Sequence, residues 1–112
     1  MKRNTEYRDY ILYDVLGGMS GITSRGMFGG FGLYKEGIFF GIITNNTLYF
    51  KVDEENKPLY EEYGSTPFQY EKKGETVALS YWEVPLAILE SPQDIENWVN
   101  EACEAQKRKK SR

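Results

Sequence analysis

The residues with chemistry to offer are few, and they are grouped in a way that suits a surface better than a reaction. Between Ser24 and Gly41 six glycines alternate with Met27, Phe28, Phe31, Leu33, Tyr34, Phe39 and Phe40. A glycine-rich cradle for phosphate needs Lys-Ser/Thr at fixed spacing after the glycines, or a helix opening directly behind them. Neither follows Gly29, Gly30 and Gly32, which sit in a run that reads as strand and leads into another strand. Glycine there permits a β-bulge or the close approach of a neighbouring backbone. The chain contains no histidine, so the commonest general base and metal ligand are missing, and any proton transfer would fall to carboxylates, Lys, Tyr or the thiol of Cys103.

Each remaining candidate has a structural use as well. Arg25 could grip a carboxylate or phosphate with its forked guanidinium, or form an internal salt bridge to Asp53 or Glu83. Cys103 flanks an apolar helical stripe and reads as a small buried hydrophobe. Glu54, Glu55, Glu61, Glu62, Glu101 and Glu104 take positions typical of a solvated helix face. The sequence therefore implies no catalytic residues, no cofactor and no metal site.

These residues must be positioned by elements that the periodicity makes legible. Ile11, Leu12, Val15 and Leu16 recur at helical spacing, with Asn4 or Thr5 as cap and Gly17-Gly18 as stop. Three strand-like runs follow at about 25–34, 38–44 and 47–52, divided by Lys35-Glu36-Gly37 and by Asn45-Asn46, which suits a type I′ hairpin. A short helix is predicted near 57–63, closed by Gly64. A second hairpin spans Pro67–Glu71 and Thr76–Trp82 around Lys72-Lys73-Gly74, with Val77, Leu79 and Tyr81 on one side. After a helical turn ending near Leu89, Ser91-Pro92-Gln93-Asp94 caps a last helix with the stripe Ile95, Trp98, Val99 and Ala102. The order α-βββ-α-ββ-α implies an α+β two-layer sandwich with an antiparallel sheet of about five strands.

In β-strand alternation Lys51 faces away from the core candidates Leu48, Phe50 and Val52. Tyr49, Lys51, Ser80 and Trp82 could then share the open side of the sheet and receive a partner, or Tyr49 and Trp82 could pack under the helices. At 112 residues the chain is one domain, read as 1–106 with a basic tail over 107–112 expected to fray. A net charge of −3 disfavours autonomous DNA binding. A single cysteine, with no signal peptide or membrane span, points to the reducing cytoplasm.

The run Arg25-Gly26-Met27-Phe28-Gly29-Gly30-Phe31-Gly32-Leu33-Tyr34 resembles the signature of the N-terminal domain of the TfoX/Sxy family of bacterial competence regulators. The resemblance continues in order through Leu48–Asp53, Gly64–Tyr70, Ser80–Pro85 and Trp98, nearly the whole chain. It implies an α+β fold of the type seen in secretion chaperones. It also implies transcriptional control of competence genes by protein contact, with a cyclic-AMP receptor protein acting alongside. Full-length members of the family carry a further C-terminal helix-hairpin-helix domain, so the chain reads as a stand-alone N-terminal domain. The expected partner is a protein, either a transcription factor or RNA polymerase, and a homodimer is compatible with an open sheet face. The alternative is an interaction or chaperone-like module unrelated to competence.

Overall fold

The computed structural model describes residues 5–27 and 29–110. Helix α1 (Thr5–Asp9) passes into a π-helical turn over Tyr10–Val15, where the Leu16 N–H donates to the Ile11 carbonyl five residues back at 2.8 Å. Strands β1 (Ile22–Met27), β2 (Gly30–Lys35), β3 (Ile38–Thr44) and β4 (Thr47–Lys51) follow. Helix α2 (Lys57–Glu62) then leads to β5 (Pro67–Lys72) and β6 (Glu75–Glu83), and α3 (Leu86–Leu89) and α4 (Pro92–Lys110) close the chain. The described strands form one antiparallel sheet in the order β1-β2-β3-β4-β6-β5.

The α+β sandwich expected from the sequence is therefore present, with six strands where about five were predicted. The difference lies in the glycine stretch. The predicted single strand over 25–34 is a hairpin, in which Met27 pairs with Gly30 and Gly29 has φ +79°. Phe28, the other residue between those strands, lies outside the described residues.

Local chemistry sets the other turns. Asn45 and Asn46 both adopt positive φ (51° and 55°), as a type I′ turn requires. Gly64 takes φ +72° beyond α2, and its N–H reaches the Glu61 carbonyl at 3.0 Å. The Ser91 hydroxyl accepts the Asp94 N–H at 3.3 Å, capping α4 as its sequence predicts. α4 continues through Lys110, so it takes in the first part of the basic run, and Ser111 and Arg112 lie outside the described residues.

The core lies on one side of the sheet. Phe31, Leu33, Phe40, Ile43, Leu48 and Phe50 meet Ile11 from the N-terminal helical segment, Tyr60 from α2, Ile88 from α3, and Ile95, Trp98, Val99 and Ala102 from α4. Full burial of each large side chain contributes about 1.5–3 kcal/mol, so this layer carries most of the fold's stability. Cys103 is buried beside the stripe and burial pushes its thiol pKa up, the environment of a packing residue. Among the described residues no helix is long and apolar enough to cross a membrane.

Candidate functional site

Among the described residues no helix covers the centre of the other side of the sheet, and its shape follows from the residues that lack bulk. Gly32 opposes Arg25 on β1 and Ile42 on β3. A Cβ at Gly32 would stand 2.6 Å from Met27 Cε and 3.0 Å from Phe39 Cε1, so the missing side chain is the space into which those two fold. A Cβ at Gly30 would stand 2.0 Å from the Ile43 carbonyl oxygen, which lets the β1–β2 hairpin lie tightly on β3. These are the close approaches that the glycines suggest in the sequence.

The result is an apolar hollow of about 230 Å³, whose wall includes Met27, Phe39, Ile42, Phe68, Leu79 and Tyr81. Ring contacts extend it: Phe39 lies 5.2 Å from Tyr34 and 5.6 Å from Tyr81, and Tyr49 lies 5.1 Å from Phe68, centroid to centroid. Such tilted aromatic pairs hold one another in place. Six half-buried apolar side chains around one depression offer contact area at little cost in side-chain entropy. Arg25 is exposed on β1 in register with Gly32, two residues from Met27, and thus at the rim of this face.

The structure separates the residues that the sequence groups as one surface. Tyr49 pairs with Ile42 and Glu83 and lies on the open side, half-buried, and its hydroxyl pKa is raised by desolvation and then by the Glu83 carboxylate. Trp82 does not join it. Trp82 pairs with the fully buried Phe50 and sets its ring 6.4 Å from Tyr60, so it packs under the helices. The register pairs Tyr49 with Glu83 and Lys51 with Tyr81. Odd-numbered residues of β6 therefore share the side of odd-numbered residues of β4, and Leu79 and Tyr81 belong to the open face. A one-residue difference in register exchanges the two sides of a strand.

Lys51 is corrected in another way. It retains only 4% of its exposure, its Nζ donates to Ser80 Oγ at 2.5 Å, and it lies 5.3 Å from the Tyr81 ring centroid. By register it shares the side of Tyr49 and Tyr81, but it is a buried, wrapped cation at the end of the sheet and offers no exposed contact there. The proposed ion pairs of Arg25 are also replaced. Asp53 is held by Arg108 of α4, whose Nε and Nη2 donate to the two carboxylate oxygens at 2.6 and 3.0 Å. Arg25 forms no ion pair among the described residues.

Two features of this end of the molecule escape local sequence reading. Asn56 is buried, accepting the Asp53 N–H at 2.8 Å and donating to the Lys51 carbonyl at 3.1 Å. Arg108 reaches Asp53 across fifty-five positions of chain. Aspartate followed by Asn three residues later before a helix is a visible signal for the first; only the tertiary fold reveals the second.

Residues 14–106 match the model of the TfoX N-terminal domain. The chain is 32% identical over 82 residues to the "DNA transformation protein TfoX1" of Aliivibrio fischeri (strain ATCC 700601 / ES114), a match covering 73% of this chain and 39% of that protein. The matched region thus spans about two fifths of that relative's length. The family match takes in the glycine hairpin, the hollow, α2, α3 and most of α4, and the chain belongs to the TfoX N-terminal domain family.

Proposed function

We propose that this domain is a non-catalytic contact module of competence-type transcriptional control, and that the open sheet face is the surface through which it meets its protein partner. The observation that carries this reading is the hollow built by Met27, Phe39, Ile42, Phe68, Leu79 and Tyr81 on the side opposite the helices. Large apolar and aromatic side chains surrounding a depression, with Arg25 at the rim, match the composition of a protein interface centre. The hollow's volume of about 230 Å³ falls below the roughly 300–1,000 Å³ usual for a drug-sized ligand. The printed name of the Aliivibrio fischeri relative, a DNA transformation protein, supports the competence context.

The partner class is a transcription factor or RNA polymerase. The test is complementation of a deletion strain while competence-gene transcripts are measured. The wild-type gene restores the transcripts and a gene carrying Ile42→Lys does not, although both chains accumulate to equal levels. Full restoration by Ile42→Lys would reject the open face as the working surface.

A further inference from the structure

At the end of β4, Lys51, Val52, Asp53, Glu54, Ser80, Ala105 and Lys109 line a second cavity of about 290 Å³. Its unusual member is Lys51. An ammonium removed from water ordinarily requires a carboxylate, because its desolvation costs several kcal/mol. Lys51 has no carboxylate within ion-pair distance among the described residues; its Nζ is met by the Ser80 hydroxyl at 2.5 Å and the face of Tyr81 at 5.3 Å. An ammonium carries three donors, and the Ser80 bond uses one.

The carboxylates nearest in sequence are committed elsewhere. Asp53 accepts both donors of Arg108 and the backbone N–H groups of Glu55 and Asn56, at 2.6 to 3.3 Å. Those bonds hold its carboxyl at about 2, so it is ionised and occupied. Glu54 stands in solvent and leans towards Lys57 at 3.9 Å. A second ammonium instead faces the same cavity from α4, that of Lys109. The pKa of Lys51 is lowered first by desolvation and next by the charge of Lys109, with Asp53 acting in the opposite sense. The cavity thus holds two lysines and a hydroxyl beside two carboxylate residues, of which Asp53 is engaged by Arg108 and Glu54 is exposed and turned towards Lys57.

We propose that this cavity binds a tetrahedral oxyanion, a phosphate or a phosphate monoester, held between the ammonium groups of Lys51 and Lys109 with Ser80 supplying a further hydrogen bond. The anion is the counter-charge that the fold omits around Lys51. Charge-assisted hydrogen bonds of this type are shorter and about twice as strong as neutral ones. The cavity shares no lining residue with the apolar hollow, although Tyr81 of the hollow's wall also touches Lys51, and the proposal does not depend on the protein-contact reading.

The test is thermal unfolding of the full chain in sodium phosphate, and separately in glycerol phosphate, against sodium chloride at equal ionic strength. Ligand at ten times its dissociation constant raises Tm by about 5 °C, and the rise saturates. Lys51→Met keeps the aliphatic stem and abolishes the rise. Lys109→Gln, an exposed position of α4 that leaves the core intact, weakens apparent affinity about tenfold and decides the matter if Lys51→Met does not fold. Phosphate also stabilises proteins generically by exclusion from their surfaces, so the variants are essential. A saturable, variant-sensitive rise with both compounds assigns the site to monoesters, and a rise with inorganic phosphate alone assigns it to the free anion. Equal responses of wild type and variants, or no saturable response, would overturn the proposal.

Discussion

The two faces of this sheet are built from the same residue types and lead opposite lives. On the covered side Phe40 and Phe50 meet edge to face at 5.4 Å, entirely out of solvent, beneath α4. On the open side Phe39 and Tyr81 meet at 5.6 Å, half-buried, with no helix above them among the described residues. Apolar side chains under a helix are held by the fold, whereas the same chains around an uncovered depression remain available to another macromolecule. The contrast shows that apolar content alone does not mark the core here. What separates the faces is register, because β6 is placed beside β4 so that Leu79 and Tyr81, not Trp82, face outward.

The sharpest way to break this contrast is to cut into each face. Phe50→Ala empties a fully buried site and lowers unfolding free energy by about 3–5 kcal/mol, measured by urea denaturation. Trp82→Ala, which on an open face would be nearly silent, behaves as a core truncation too, because it strips a ring packed near Tyr60.

Next in size are the glycines. Gly30→Ala drives a Cβ to 2.0 Å from a backbone oxygen, where only a shift of the hairpin relieves the clash, and costs about 1–3 kcal/mol or more. Gly32→Ala meets the tip of Met27, which can swing aside. Its stability cost is smaller than that of Gly30→Ala in the same denaturation experiment, while the displaced Met27 and Phe39 distort the hollow and would weaken binding if the hollow is the contact surface.

The Asp53–Arg108 clamp has a smaller and pH-dependent effect. Its carboxyl is lowered from 3.8 to about 2, chiefly by the Arg108 hydrogen bonds. A folded value below the unfolded one stabilises the protein fully above the unfolded value, and that contribution disappears as pH falls from about 4 to about 2. Solvent screening at this partly exposed pair limits it to about 1 kcal/mol. Arg108→Gln should flatten that part of the stability–pH curve, and an unchanged curve would dismiss the clamp as a stabiliser.

Smallest of all for stability is Ile42→Ser on the open face, within about 0.5–1 kcal/mol of wild type by denaturation. Its binding effect is disproportionate if the hollow is an interface centre, where truncations commonly exceed 2 kcal/mol.

Much of this arrangement is legible in the chain because its causes are local. Asn45-Asn46, Ser91 with Asp94, and Gly64 each act within a few residues, and each performs as its chemistry suggests. The hairpin inside the glycine stretch is harder to read, because the sequence between the paired Met27 and Gly30 holds no polar turn residue to mark it. The side taken by Trp82 is set by a strand pairing across α2, and the burial of Lys51 by side chains from β6. Alternation within one strand defines two faces; it cannot say which face a distant strand will share.

The most direct measurement is equilibrium binding of the wild-type chain and the Ile42→Lys variant to the protein partner recovered from native extracts, with thermal unfolding of each chain run in parallel. An uncovered face that serves as the contact surface predicts at least about a tenfold loss of affinity at an unchanged Tm. Equal affinity of the two folded chains would contradict it and move the contact elsewhere on the molecule.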